Sequence, residues 1–93
     1  MKMEKQFSIE IIVELKAGML DPEGITIKKS LKHLGIETES VKTSKRYIID
    51  VKANSEDNAI KKADEMCQKI IANPLIHDYS IKLSDIKIPL ETS

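Results

Sequence analysis

Cys67 is the only thiol in the chain, and His33 and His77 are its only imidazoles. Nucleophilic catalysis needs a hydroxyl or thiol beside an oriented base, so any such centre would draw on these three residues. Cys67 lies inside an apolar stripe, the usual place of a free cysteine that only packs. His33 falls near the end of a helical segment, where a cation complements the helix dipole. His77 precedes Asp78 in a segment that alternates like a strand, so the two side chains point to opposite faces and adjacency builds no His-Asp pair. Neither histidine has a second His or Cys at a metal-binding spacing such as i, i+4. We therefore expect no catalytic residues, no cofactor-binding residues, no metal site and no bound cofactor.

Acidic pairs stand at Glu37 with Glu39 and at Glu56 with Asp57. The second pair opens a helical pattern, where negative charge is favoured by the dipole, and the first falls in a solvated loop. The run Lys42-Thr43-Ser44-Lys45-Arg46 offers three cations and two hydroxyls, which reads either as a solvated turn or as an anion site. In LKAGMLDPEG, residues 15 to 24, Gly18 and Gly24 approach the pattern of a phosphate-cradling G-x-x-x-x-G-K-[ST] loop, but five residues separate them where that loop has four. Ile25-Thr26 follows instead of Lys-Ser/Thr, so the phosphate reading fails. What is left is a turn between two elements, with Met19 and Leu20 free to pack or to meet a partner.

The elements that must position these residues are legible from periodicity. In FSIEIIVEL, Phe7, Ile9, Ile11, Val13 and Leu15 alternate with Ser8, Glu10, Ile12 and Glu14, which predicts a strand with one buried face. Asp21-Pro22 reads as N-cap and first helical position, and Ile27, Leu31, Leu34 and Gly35 predict a helix over about 22 to 34 with a glycine stop. A short strand is expected near 40 to 44, a tight turn at Ser44-Lys45-Arg46, and a longer strand from Tyr47 to Ala53. Ser55 then caps a second helix, whose stripe is Ala59, Ile60, Ala63, Met66, Cys67, Ile70 and Ile71 and which ends at Asn73-Pro74. A last strand runs through Tyr79, Ile81 and Leu83.

That order, strand-helix-strand-strand-helix-strand, predicts an α+β ferredoxin-like βαββαβ two-layer sandwich, with a four-stranded antiparallel sheet and both helices on one face. At 93 residues the chain is expected to be one domain, with a core over about 7 to 83 and an extension over 84 to 93. The extension carries Ile86, Ile88 and Leu90 around Pro89, the pattern of an edge strand or of a tail that needs a neighbour.

Composition narrows the partners. Fifteen basic and fifteen acidic residues cancel, so no long-range field draws the chain to nucleic acid or to an anionic membrane. RNA-recognition domains share this element order but need exposed aromatics and a basic surface, and the chain has only three aromatics. No run approaches the roughly 20 apolar residues of a membrane span, the N-terminus lacks an apolar signal core, and a lone cysteine fits a reducing compartment. A cytoplasmic location, no membrane contact and no nucleic-acid partner are expected. The uncovered sheet face should carry Ser8, Glu10, Ile12, Glu14, Ile48, Asp50, Lys52, Asp78, Ser80 and Lys82. A sheet open on one face and at two edges suits self-association.

Two segments resemble the PurS family, the small subunit of phosphoribosylformylglycinamidine synthase. One is Leu15-Lys16-Ala17-Gly18-Met19-Leu20-Asp21-Pro22-Glu23-Gly24 leading into Ile27 through Gly35; the other is Ala72-Asn73-Pro74-Leu75-Ile76-His77-Asp78-Tyr79-Ser80-Ile81, after Met66-Cys67. The chain departs from the family's usual pattern at Ser44, where a glycine is frequent, at His77 and Ser80, where acidic residues are common, and in its tail from Ser84 to Ser93. The resemblance implies a βαββαβ accessory subunit without an active site of its own, forming dimers or tetramers. It also implies partnership with the glutaminase subunit PurQ and the ATP-dependent synthetase subunit PurL, and help in passing ammonia between them. The isolated chain would then be inactive within a complex that makes the amidine from formylglycinamide ribonucleotide, glutamine and ATP. An ACT-like regulatory module, binding an amino acid near its first strand-helix loop, has the same element order, and a small enzyme in its own right is a third reading, which predicts turnover by the isolated chain.

Overall fold

The alternation that opens the chain becomes β1, Lys5–Leu15, the central strand of the fold in a computed structural model that describes residues 4–84. The other elements are α1 (Pro22–His33), β2 (Ser44–Ala53), α2 (Glu56–Met66), a π-helical turn (Cys67–Ile71) and β3 (His77–Leu83). Among the described residues the sheet has three strands in the order β2-β1-β3, both neighbours antiparallel to β1. Because β2 and β3 both oppose β1 they run parallel to each other, joined by α2 with β1 between them, which makes one split β-α-β unit.

The register carries the expected faces. Ile9 lies opposite Ile49 and Leu83, and Ile11 opposite Tyr47 and Ile81, so these apolar side chains share the face that α2 covers. Ile9, Ile11, Ala53, Ala59, Ala63 and Cys67 are fully buried there, with Phe7, Val51, Ile60 and Tyr79 packed around them. Tyr79 also donates its hydroxyl to Asp64 Oδ1 at 2.7 Å, fastening β3 to α2. That carboxylate, more than burial, pushes the Tyr79 phenol above its ordinary pKa.

Three expectations are corrected. No separate strand forms at 40–44: residues 41–43 are coil, Ser44 already pairs with Glu14, and β2 runs on without a turn at Ser44-Lys45-Arg46. The segment before β2 is instead held by Asp21, whose carboxylate takes the Thr43 backbone N–H at 2.7 Å.

The helices do not both cover the sheet, for only α2 packs closely on it. α1 leaves Ile25, Ile27 and Leu34 exposed. Its ends follow the sequence rules: Asp21 accepts from Gly24 N at 2.9 Å, and Gly35, at φ +82°, completes a Schellman stop through Ile36 N to Leu31 O and Gly35 N to Lys32 O, both at 2.9 Å.

The stripe of the second helix is also reset. Ala72 N donates to Cys67 O at 2.9 Å, an i to i−5 bond that gives the last turn an extra residue. The fully or nearly buried positions therefore become Ala59, Ala63, Cys67 and Ala72, and Ile70 turns outward at 87 % exposed. Ile86, Ile88 and Leu90 lie outside the described residues.

Candidate interaction surface

At the end of β1 the chain turns through Lys16 to Met19, closed by Met19 N to Lys16 O at 3.1 Å, with Gly18 at φ +88°. Lys16 also donates its backbone N–H to Ile76 O at 2.8 Å, and its Nζ sits 2.8 Å from Asp78 Oδ1. The loop that leaves β1 and the loop that enters β3 are thereby tied together at one end of the sheet. Leu20 and Leu75 stand out from this pair of loops, mostly exposed, with Met19 partly so.

Asp21 joins the same end to α1. One carboxylate caps Gly24 N and takes both the N–H of Thr43, at 2.7 Å, and its hydroxyl, at 2.9 Å. Gly24 N first, then Thr43, hold the Asp21 carboxyl below the ordinary carboxylate range. Gly24 is fixed by a close approach, since a Cβ there would lie 2.3 Å from Val41 O. An open groove of about 390 Å³ runs over Glu14, Lys16, Met19, Asp21, Lys42 and Thr43. Beside it, where α1 does not lie across the sheet, a smaller hollow of about 190 Å³ reaches Val13, Leu15, Tyr47 and Ile71.

The groups singled out for chemistry are dispersed. Cys67 is fully buried among the core residues, and burial, with Asp64 second, pushes its thiol up. His77 accepts the Asn73 N–H through Nδ1 at 2.9 Å while Asp78 goes to Lys16, so the two neighbours serve different contacts. His33 lies in the last turn of α1, and Glu56 and Asp57 in the first turn of α2. Lys28 Nζ donates to the backbone oxygen of Glu39 at 2.8 Å, leaving the Glu37 and Glu39 carboxylates out of that contact. The basic run does not converge. Thr43 turns its hydroxyl to a carboxylate, Lys45 stands opposite Val13, and Arg46 is on the other face with Glu10. Among the described residues no group of three or more His, Cys, Asp or Glu could hold a metal ion.

One feature escaped periodicity. Glu10, on the sheet face that no helix covers, is only 5 % exposed. It lies between Arg46, whose Nε donates to Oε1, and Lys82, whose Nζ is 3.0 Å from Oε2. Lys82 first, then Arg46, hold its carboxyl below the ordinary value. Ser8 donates to Asp50 on the same face. The signal was present in the alternation: a central-strand glutamate flanked by a basic residue on each neighbouring strand.

The site is thus a contact surface of paired loops, exposed apolar side chains and a charged sheet face. A family profile described as PurS, phosphoribosylformylglycinamidine (FGAM) synthase, matches residues 8–85. The chain belongs to the PurS family. The family's subunit from Methanocaldococcus jannaschii is 39 % identical over 82 residues, covering 87 % of this chain and 99 % of that one. Its crystal structure has a TM-score of 0.75 over the same shares. The PurS subunit of Archaeoglobus fulgidus is 42 % identical over 73 residues, 77 % of this chain and 91 % of its own. A chain solved in the PurLQS structure of Thermotoga maritima, 22 % identical, shares the fold at a TM-score of 0.77, covering 86 % of this chain and 99 % of that one. The loops at 15–24 and 72–81, which carry the PurS resemblance in sequence, are those that the fold ties together at Lys16, Ile76 and Asp78.

Proposed function

We propose that this chain is the accessory subunit of phosphoribosylformylglycinamidine synthase in de novo purine biosynthesis, joining a PurQ-type glutaminase to a PurL-type synthetase and helping ammonia pass from one to the other. The observation that carries this reading is the PurS match over nearly the whole chain, residues 8–85, against relatives that it covers almost end to end. The Thermotoga maritima relative's occurrence in a PurLQS structure supports the choice of partners. The dispersal of Cys67, His33 and His77 fits a subunit that contributes contacts and leaves glutamine hydrolysis and ATP chemistry to its partners.

In this reading residues 7–83 are the working domain, in the cytoplasm, and 84–93 are an extension of it. The sheet is then a ferredoxin-like arrangement whose fourth position, beside β2, no strand fills among the described residues. The test is reconstitution with PurL and PurQ subunits. Leaving this chain out should abolish amidine formation from glutamine and spare formation from added ammonium. Turnover by the isolated chain, or amino-acid binding with no co-elution with either subunit, would overturn the proposal.

A further inference from the structure

After the Gly35 stop the chain turns back along α1. Lys28 Nζ donates to the backbone oxygen of Glu39 at 2.8 Å, and Val41 lies hard against Gly24. Between α1 and this returning segment opens a cavity of about 490 Å³, lined by Ile25, Lys28, Lys29, Lys32, Glu37 and Thr38. Small-ligand sites span roughly 300–1,000 Å³, so the space is of the right size for one. We infer that this cavity binds a small oligophosphate, held by Lys28, Lys29 and Lys32 and accepting the Thr38 hydroxyl.

The charge of the lining is unbalanced. Three lysines stand there with one carboxylate, Glu37, in a chain whose charges cancel as a whole. A helical lysine is commonly offset by an acid three or four positions away. No acidic residue stands at those distances from Lys28, Lys29 or Lys32, and Lys28 and Lys32 are themselves four apart, a repulsive spacing. None of the three is in an ion pair among the described residues. The helix dipole accounts for Lys32, in the last turn of α1, but not for Lys28 and Lys29 at its middle. Lys28 uses one ammonium N–H for Glu39 and keeps two.

Thr38 is an independent observation at the same place. Its Oγ1 is buried and has no hydrogen-bond partner among the described residues. Buried hydroxyls are nearly always bonded, and one that is not calls for a partner from outside the chain. Phosphate oxygens accept from ammonium and hydroxyl groups alike, in short charge-assisted bonds. Glu37 repels an anion, so a ligand has to engage two or more lysines at once, which favours several linked phosphates over one. The concave shape favours a small molecule over the acidic surface of another protein.

Calorimetric titration of the full-length chain tests this at about 0.15 M salt, where exposed charges are screened beyond about 8 Å. Sodium tripolyphosphate and ATP should each saturate one site per chain, and adenosine should not bind. Equal affinity for the first two assigns recognition to the phosphates alone, and tighter binding of ATP adds a nucleoside contact, for which Ile25 is the apolar group at hand. Lys29→Glu with Lys32→Glu should weaken tripolyphosphate at least about tenfold. Lys45→Glu with Lys61→Glu, the same charge change at exposed positions elsewhere, should weaken it less than about twofold. Thr38→Val should weaken it about threefold or more without lowering the melting temperature of the free chain, since the hydroxyl it removes bonds to nothing in the protein. No saturable binding, an equal loss from both lysine pairs, or adenosine binding as tightly as ATP would each overturn the inference. So would a Lys29→Glu, Lys32→Glu chain that holds tripolyphosphate undiminished and no longer co-elutes with PurL, which would give this face to an acidic protein surface. The titrations use the free chain, so they stand or fall separately from its membership of the synthase.

Discussion

At the scale of single residues, two glycines near the first helix are required for different physical reasons, and they should fail differently. A Cβ on Gly24 would sit 2.3 Å from the backbone oxygen of Val41, which cannot swing aside as a side chain can. Gly24→Ala should therefore lower stability by about 1–3 kcal/mol and loosen the 41–43 segment, read by urea unfolding and by amide exchange at Thr43. Gly18 has open space around it but φ +88°, so Gly18→Ala should cost about 1–2 kcal/mol through backbone strain, with Thr43 exchange unchanged. Asp21 gives a prediction in pH. Its folded pKa is depressed below the unfolded value of 3.8, so its contribution is complete above that value and is lost as pH falls below it toward the folded pKa. Asp21→Asn should flatten the acid limb of the stability curve below about pH 3.8, as measured by thermal unfolding across pH. An unchanged acid limb would mean that the Gly24 and Thr43 contacts do not favour the ionised form.

At the scale of elements, legibility followed how local each determinant was. β1, both N-caps and the Gly35 stop were readable because alternation, a capping side chain and a left-handed glycine act within a few residues. The strand expected near 40 to 44 was not, because Asp21, some twenty positions earlier, draws Thr43 away from the sheet. The core side of the second helix was legible up to Cys67 and wrong at Ile70, since a π turn leaves no mark in hydrophobic spacing. A sequence reading makes Ile70 a core residue. The fold makes Ile70→Gln nearly silent, within about 0.5 kcal/mol, whereas Ile11→Ala at the fully buried centre of β1 should cost about 2–5 kcal/mol. Equilibrium denaturation of both variants decides between the two readings. For the contact surface, the two loop segments were visible in sequence, but their mutual contact through Lys16 and Ile76 required the tertiary register.

At the scale of the whole molecule, the described chain leaves much of its apolar surface uncovered. Leu20, Leu34 and Ile36, which flank α1, and Leu75, in the loop before β3, are all more than half exposed, while α1 hardly touches the sheet. Large apolar side chains left exposed at both ends of α1 and in the loop before β3 are candidate anchors for a protein-protein contact. Leu20→Ser together with Leu34→Ser should then change the unfolding free energy by less than about 1 kcal/mol, since neither side chain is in the core. Removing two apolar anchors should nonetheless weaken co-elution with the synthetase by at least about tenfold. It should lower the glutamine-dependent rate of the reconstituted complex in parallel and leave the ammonium-dependent rate alone. Co-elution left unchanged by the pair would mean that the synthetase meets the subunit elsewhere.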